Sequence, residues 1–232
     1  IGFSFHGNSE KFCEIVDAYP WDMSLIQYNY MDEHSQAGRK GLLHAHSKGI
    51  PVMIMEPLRG GKLVNNLPDE AKAIFKNYEV QYAPAQWAFR WLFSQKEVTT
   101  VLSGMNSEEM VADNINTASV TKIGDVTEAD EKMLKDVVKA INHKMKVGCT
   151  GCGYCMPCPQ NIYISGTFSA YNTHFSGNKF LGFKEYLRAT SFGGNTPASA
   201  CINCGKCESH CPQSIEIRKE LKNAVNILET PV

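Results

Sequence analysis

Short apolar runs alternate with amphipathic stretches along the first 120 residues of the chain. Four apolar runs have the length and composition of strands, and they occupy 1–5, 23–30, 50–58 and 98–104. Apolar residues recur at helical spacing in the segments that follow, which are 9–19, 36–49, 83–95 and 106–118. This alternation predicts an α/β fold of parallel βαβ units, with functional loops at the carboxyl ends of the strands. Four such units are half of an eight-stranded α/β barrel of the TIM type.

Several positions within the predicted helices carry specific expectations. Ser9 precedes the apolar positions of the first helix and is its predicted N-cap. Cys13 shares that helix with Phe12 and Ile15, so we expect it to be a buried small hydrophobic residue. The aromatic residues of 83–95 are expected to pack in the core of the barrel.

The pattern changes where the barrel-like region ends. The segment 126–146 predicts one further helix, with Thr127 and Asp130 as a capping-box variant at its start and one apolar face. Beyond this bridging helix the chain becomes rich in Gly, Ser, Asn, Pro and Cys. We therefore predict two domains, 1–125 and 126–232.

Few apolar residues recur periodically between 147 and 212, apart from a helical pattern at 178–190, and a final helix is predicted over 215–228. Such a segment could hardly support a hydrophobic core alone. A bound inorganic centre is expected to supply the missing stability. The second domain is therefore predicted to be small, mainly α-helical and dependent on that centre.

Composition and charge exclude several classes of partner. The net charge is −1 and the basic residues are dispersed, so nucleic acid and membranes are not expected partners. The apolar runs are shorter than the roughly 20 residues that cross a bilayer. No signal-peptide pattern opens the chain. These features predict a cytoplasmic protein.

The chain opens on an isoleucine rather than a methionine, and its first apolar run has no cap or turn before it. We therefore expect the sequence to begin within a larger protein. A half barrel would expose two sheet edges. Its expected partner is the missing N-terminal half of the barrel or another copy of the chain.

Eight of the nine cysteines fall in two tight groups, and Cys13 stands alone. The groups are Cys149, Cys152, Cys155 and Cys158, then Cys201, Cys204, Cys207 and Cys211. Two dense runs in a chain of this size indicate metal ligation in a reducing compartment rather than a disulfide framework. The second run, CINCGKCESHCP, has the C-x2-C-x2-C-x3-C-P spacing of bacterial ferredoxins, and the first is one residue shorter in its last interval.

This spacing predicts two 4Fe–4S clusters that share ligands between the runs. In two-cluster ferredoxins the fourth cysteine of each run binds the other cluster. By that rule the ligand sets are Cys149, Cys152, Cys155 and Cys211, and Cys201, Cys204, Cys207 and Cys158. The shortened interval before Cys158 leaves the sharing open. Zinc is the alternative metal, but its Cys-x2-Cys pairs normally lie a dozen or more residues apart, so clusters are favoured.

The first 118 residues resemble the C-terminal half of an aldo/keto reductase, an eight-stranded α/β barrel that reduces carbonyls with a nicotinamide cofactor. The resemblance is carried, in the family's order for strands five to eight, by IGFSFHG, LIQYNY, GIPVMIMEPLRGGKL, PAQWAFRWL and VLSGMNSEEMVADN. With its cysteine runs, the whole chain resembles the branch of the family that bears a ferredoxin-like domain. This resemblance implies a nicotinamide cofactor, NAD or NADP, in addition to two 4Fe–4S clusters.

The resemblance assigns the nicotinamide end of the cofactor to two strand residues. Ser4 and Gln27 match the family residues that hydrogen-bond the nicotinamide carboxamide. Two neighbouring positions depart from the family pattern. Phe5 stands where an asparagine is usual, and Met55 replaces the aromatic residue that stacks on the nicotinamide.

The resemblance also assigns the adenosine end of the cofactor. Its residues would be Ser103, Gly104, Met105 and Asn114, of which the asparagine contacts adenine. A helix N-terminus near Ser107 suits an anion there. However, Met105 and Met110 lie at or near positions where NADP-preferring members carry basic residues, and a phosphate monoester without such a partner is poorly held. NAD is therefore at least as compatible with these residues as NADP.

The family's catalytic Asp, Tyr, Lys and His belong to strands two to four, and no segment of this chain matches those strands. No catalytic residue is therefore assigned. His6 lies at a strand end, where a histidine is more often an ordinary polar contact than a chemical group.

The first functional hypothesis is an oxidoreductase that couples reduction of a small-molecule carbonyl, or oxidation of an alcohol, to iron–sulfur electron transfer. Hydride chemistry moves two electrons and a cluster accepts one at a time, so a one-electron carrier protein is an expected partner. The alternative is a ferredoxin-like electron-transfer or docking module on a catalytically inactive barrel, which Phe5 and Met55 favour. A third interpretation is a purely structural metal centre.

Overall fold

The computed structural model of the chain describes residues 1–176 and 178–230. The chain forms two compact units, Ile1–Ala140 and Ile141–Val232. This division falls within the helix predicted to link the two regions, whereas the predicted domain boundary lies before that helix.

A four-stranded parallel sheet lies within the first unit. Its strands are β1 (Gly2–Phe5), β2 (Met23–Gln27), β3 (Val52–Met55) and β4 (Thr100–Val101). They lie side by side in chain order, and each pairs in parallel with the next. Parallel neighbours need a crossover connection between them. The predicted α/β fold with a parallel sheet is therefore confirmed.

The helices of the first unit follow these strands. They are α1 (Ser9–Ala18), α2 (Gly38–Ser47), α3 (Lys62–Asn65), α4 (Asp69–Asn77), α5 (Pro84–Phe93), α6 (Glu108–Val120) and α7 (Glu128–Lys144), of which the last four residues of α7 belong to the second unit. The sequence pattern does not predict α3 and α4. A signal for α4 was available in the sequence, since Pro68 precedes two acidic residues of the first turn and the apolar residues Ala71 and Phe75 are four positions apart.

Two helix starts test the capping predictions. The predicted cap of α1 is wrong by one residue, because the side chain of Asn8, not Ser9, accepts a 2.9 Å hydrogen bond from the Lys11 N–H. The predicted capping box of α7 is formed. The Thr127 N–H donates to Asp130 Oδ2 at 2.9 Å, and the Asp130 N–H donates to Thr127 Oγ1 at 3.2 Å.

One face of the sheet packs against the helices. Phe5, Ile26 and Ile54 are neighbours in register on β1, β2 and β3, and all three are buried. The Phe5 ring centroid lies 5.3 Å from that of Phe12 on α1. Residues on either side of these positions, including Ser4, belong to the other face, because side chains alternate along a strand.

The aromatic residues of α5 supply much of the remaining core. Trp87, Phe89 and Trp91 are buried, as predicted, and Phe93 stacks on Phe89 with 6.1 Å between ring centroids while staying partly exposed. Cys13 on α1 is partly buried, whereas the sequence predicts a fully buried residue there.

The second unit is built from helices around an apolar core of its own. Its elements are α8 (Ile164–Phe175), α9 (Lys179–Ser191), a 3-10 helix (Ala198–Ala200), α10 (Lys206–Ser209) and α11 (Ile217–Leu228). The segment 147–212 contributes more to this core than its sequence pattern indicates, because α8, which the pattern does not predict, buries Ile164, Phe168 and Tyr171. The core is completed by α11, which lies outside that segment. The core residues are Val147, Ile162, Ile164, Phe168, Ala170, Tyr171, Tyr186, Ala198, Ile217, Leu221, Ala224 and Leu228.

Gly182 allows α9 to approach α8 closely. A Cβ at this position would lie 2.5 Å from the backbone nitrogen of His174 and 2.8 Å from the carbonyl oxygen of Ala170. Gly182→Ala is therefore expected to lower the free energy of unfolding by about 1–3 kcal/mol, although alanine normally favours a helix. Chemical denaturation followed by circular dichroism would measure the change. Lys184→Ala, at an exposed position of the same helix, is the control and should be nearly neutral; equal stability of both variants would contradict the close approach.

Across 1–176 and 178–230, none of the helices has the length and apolar character required to cross a membrane.

Candidate functional site

A buried polar network lies beyond the carboxyl ends of β2 and β3. Asp32 Oδ2 accepts hydrogen bonds from Gln27 Nε2 at 2.9 Å and from Asn29 Nδ2 at 3.2 Å. The same oxygen lies 3.1 Å from Arg59 Nε, and the side chains of this ion pair are only 5% and 6% exposed. Charges so far from water are retained only when they are paired and hydrogen-bonded, and this carboxylate is both.

The network continues towards the end of β1. Gln36 Nε2 donates to Gln27 Oε1, and Gln36 Oε1 lies 3.0 Å from Nδ1 of His6. The amide of Gln27 is therefore held from both sides, by Asp32 and by Gln36. His6 takes part as a polar contact that links the end of β1 to the loop after β2.

The backbone around the network adopts the left-handed conformation at several positions. Gln36, Glu56 and Arg59 have φ values of 57°, 58° and 53°, and two glycines follow Arg59 in the same region. Left-handed backbone at residues other than glycine costs about 1–3 kcal/mol each and persists where the surroundings impose it. Glu56 is also notable because its Oε2 is buried and has no hydrogen-bond partner among the described residues.

The sequence pattern does not identify Asn29, Asp32, Gln36, Glu56 or Arg59 as site residues. A signal existed in part, since Glu56-Pro57 and Arg59-Gly60-Gly61 directly follow the third apolar run, where loops of a parallel sheet carry function. Only the fold brings Arg59 to Asp32.

In the second unit, the first cysteine run is accompanied by one cysteine of the second. Burial, and after it the nearby thiols of Cys149 and Cys152, raise the pKa of Cys155 to about 12. Cys211 contributes in the same direction, so its thiol is also close enough to act on Cys155. The group around Cys155 thus contains three cysteines of its own run and the last cysteine of the other run.

The other cysteines line a common cavity. Cys158 of the first run lines it together with Cys201, Cys204 and Cys207, and Cys155 lies at its wall. Burial, followed by the charge of Glu208 and the thiols of Cys201 and Cys204, raises the pKa of Cys207. The crossed ligand sets of a two-cluster ferredoxin would place Cys155 with the first group, although Cys155 also lines this cavity.

Glycines shape the turns between these cysteines. Gly151, Gly153 and Gly205 have φ values of 84°, 80° and 76°, which other residues rarely adopt. All eight donors are thiols, the ligand type that binds iron–sulfur clusters, so the donor chemistry fits such clusters. No three His, Cys, Asp or Glu side chains in the described part of the chain converge to hold a single metal ion.

The family model for the aldo/keto reductase family matches residues 1–133, more than half of the chain. The chain belongs to the aldo/keto reductase family. A second family model, for a 4Fe–4S dicluster domain, matches residues 148–216 and includes all eight clustered cysteines.

Solved structures of aldo/keto reductases are similar to part of the chain. The holo form of aldo-keto reductase AKR11C1 from Bacillus halodurans is 19% identical, with a TM-score of 0.48, and the match covers 60% of this chain and 50% of that one. Its apo form is 18% identical, with a TM-score of 0.47 and coverage of 59% and 50%. The chain spans about half the length of these structures. No curated protein sequence matches the chain.

The residues expected at the nicotinamide end of an aldo/keto reductase cofactor share one face of the sheet. Ser4 pairs in register with Leu25, two positions before Gln27, and Gln27 pairs with Met55. Ser4 is exposed and Gln27 is buried. Phe5 lies on the opposite face against α1, so it does not cover this part of the sheet.

The residues expected at the adenosine end are partly brought together. Asn114 Nδ2 donates to Ser103 Oγ at 3.2 Å, whereas Met105 is exposed and a Cβ at Gly104 would meet open space. At the start of α6 the side chain of Ser107 accepts a hydrogen bond from the backbone of Met110.

An acidic residue also occupies this helix start. Hydrogen bonds from its own backbone N–H and from Ser107 lower the pKa of Glu109, and Glu108 adds a second acidic residue to the first turn. This end of α6 therefore carries negative charge of its own, which opposes an incoming anion.

Proposed function

We propose that the protein is an oxidoreductase of aldo/keto reductase type that couples nicotinamide-dependent carbonyl or alcohol chemistry to electron transfer through two 4Fe–4S clusters. The observation that carries this proposal is the presence of both matches in one chain, the reductase family over 1–133 and the dicluster domain over 148–216. A nicotinamide supplies hydride transfer, and the clusters supply one-electron transfer. The barrel would be completed by an N-terminal half that lies outside this sequence.

Gln27 would position the nicotinamide. Its amide is held by Gln36 on one side and by Asp32 on the other, and these two hydrogen bonds set the orientation of the amide plane. The Asp32–Arg59 pair would keep that orientation by holding the loop after β2 against the turn after β3. Met55, the register partner of Gln27, offers an apolar surface instead of an aromatic ring.

We propose that NAD is preferred to NADP. The extra 2′-phosphate of NADP needs basic partners, but Met105 and Met110 are uncharged and exposed at the positions where these would stand. Glu108 and Glu109 in the first turn of α6 would repel the phosphate.

The proposed cluster ligands are the crossed sets. One cluster would be held by Cys149, Cys152, Cys155 and Cys211, and the other by Cys201, Cys204, Cys207 and Cys158. The grouping of Cys211 with Cys155, and of Cys158 with Cys204, supports this choice. Thiolate ligands and clusters persist in a reducing compartment, which supports a cytoplasmic location.

The substrate class follows from the chemistry of the family, a small carbonyl compound or alcohol. The catalytic residues would come from strands two to four of the family's barrel, which no segment of this chain matches. A one-electron carrier protein would exchange electrons with the clusters.

Anaerobic titration of the complete protein with NADH, followed by cluster absorbance, tests this function. We expect the absorbance to bleach as the clusters become reduced, and NADPH to be required at higher concentration. Intact clusters that neither bleach nor respond to a bound nicotinamide would refute the coupling. They would favour the second candidate, a ferredoxin-like electron-transfer or docking module on an inactive barrel, for which Met55 in place of the stacking aromatic is the supporting observation.

A further inference from the structure

Arg218, near the start of α11, lies beside the cysteines of the second run. It lines the same cavity as Cys158, Cys201, Cys204 and Cys207. A Cβ at Gly205 would lie 3.7 Å from the guanidinium carbon of Arg218 and 3.8 Å from its Nη1. The guanidinium therefore lies beside the turn between Cys204 and Cys207.

Glu208 holds this guanidinium in a fixed orientation. Glu208 Oε2 accepts hydrogen bonds from Arg218 Nε at 2.9 Å and from Nη2 at 2.7 Å, and Oε1 accepts one from the Arg218 backbone N–H at 2.9 Å. A third guanidinium nitrogen, Nη1, lies 3.5 Å from the carbonyl oxygen of Asn203. A charge held by several hydrogen bonds stays in place although 45% of the side chain is exposed.

Arg218 interacts electrostatically with Glu208 and with the neighbouring thiols. The pKa of Arg218 is raised by Glu208 first and then by the thiols of Cys207 and Cys201. These thiols are the proposed ligands of the second cluster, so the guanidinium and the cluster would be electrostatic neighbours.

We propose that Arg218 is a positioning residue that raises the reduction potential of the cluster held by Cys201, Cys204, Cys207 and Cys158. One-electron reduction adds a negative charge to a cluster, and a fixed cation nearby stabilises the reduced form more than the oxidised form. Glu208 opposes this effect but also holds the guanidinium, with the positive end of the pair facing the cavity. This inference rests on the cluster part of the proposed function and does not require the nicotinamide part.

The test is an anaerobic redox titration of the complete cluster-loaded protein, followed by electron paramagnetic resonance. Arg218→Gln is expected to shift the midpoint potential of one cluster to a more negative value and to leave the other cluster unchanged. Arg218→Lys should retain part of the wild-type potential because it keeps the charge but not the forked geometry. Glu208→Gln should shift the same cluster to a more positive value.

Lys219→Gln is the matched control. It removes the same charge at the next position, where the lysine is exposed and pairs with Glu216. Its potentials should equal those of the wild type. Unchanged potentials in Arg218→Gln, or an equal shift in Lys219→Gln, would overturn the proposal.

If Arg218→Gln does not retain both clusters, the test relies on Glu208→Gln, which keeps the cation. If its cluster potential does not shift to a more positive value, the proposed role of this pair is overturned. The outcomes also separate the two proposals. The expected shifts in a protein that NADH does not reduce would support the role of Arg218 while refuting the coupling to nicotinamide. A protein that binds zinc instead of clusters would refute both.

Discussion

Replacing Cys158 and Cys204 together by alanine is expected to leave the protein with one intact 4Fe–4S cluster. The two residues belong to different runs but to the same proposed ligand set, so both changes would remove ligands from one cluster. The cluster of Cys155 and Cys211 would keep all four ligands. Bound iron should fall by about half, to roughly four atoms per chain.

The two possible ligand arrangements give opposite results for this double variant. If each run held its own cluster, Cys158→Ala would damage one cluster and Cys204→Ala the other. Iron analysis combined with electron paramagnetic resonance of the reduced protein would then find no intact 4Fe–4S cluster, and the crossed sets would be wrong. Cys152→Ala with Cys211→Ala is the complementary pair and should preserve the other cluster. Cys13→Ala, which lies outside both runs, should keep both.

The alternation of strand and helix was predictable because each strand has a local signature. β2 and β3 are short apolar runs between turn-forming segments, and the helix after each run shows a period near 3.6 residues. The helix α8 has no such clear signature. Ser165, Gly166 and Thr167 have low helix propensity, and the helix is stabilised by the burial of Phe168 and its neighbours in the core of the second unit.

The residues of the candidate site also differ in whether the sequence alone predicts them. The cysteine ligands were predictable from spacing alone, because a cluster needs several thiolates from a short stretch of backbone. The polar network around Asp32 was not predictable from the sequence. Asp32 and Arg59 belong to loops after different strands, where charged residues are normally solvated, and they become a buried pair only because β2 and β3 are neighbours in the sheet. The position of Arg218 beside the cysteines was not predictable for a similar reason, because α11 contacts the cysteine run only in the folded chain.

The buried pair predicts the largest loss of stability in the first unit. Arg59→Met is expected to lower the free energy of unfolding by about 3–5 kcal/mol, because it leaves the Asp32 carboxylate buried without its cation. All three tryptophans lie in this unit, so denaturation followed by tryptophan fluorescence reports its unfolding. Lys72→Met, which breaks an exposed ion pair with Asp69, is the control and should change the transition little.

The double variant Asp32→Asn with Arg59→Met separates the charge from the packing. It removes both buried charges, so it should be more stable than Arg59→Met alone, and the difference from additivity measures the coupling of the pair. An additive double variant would mean that Asp32 is satisfied by Gln27 and Asn29 without Arg59. Because Asp32 also fixes the amide of Gln27, the double variant should bind NADH more weakly even where its stability recovers. Recovery of stability without recovery of cofactor affinity would identify the pair as the support that orients Gln27, beyond its contribution to folding.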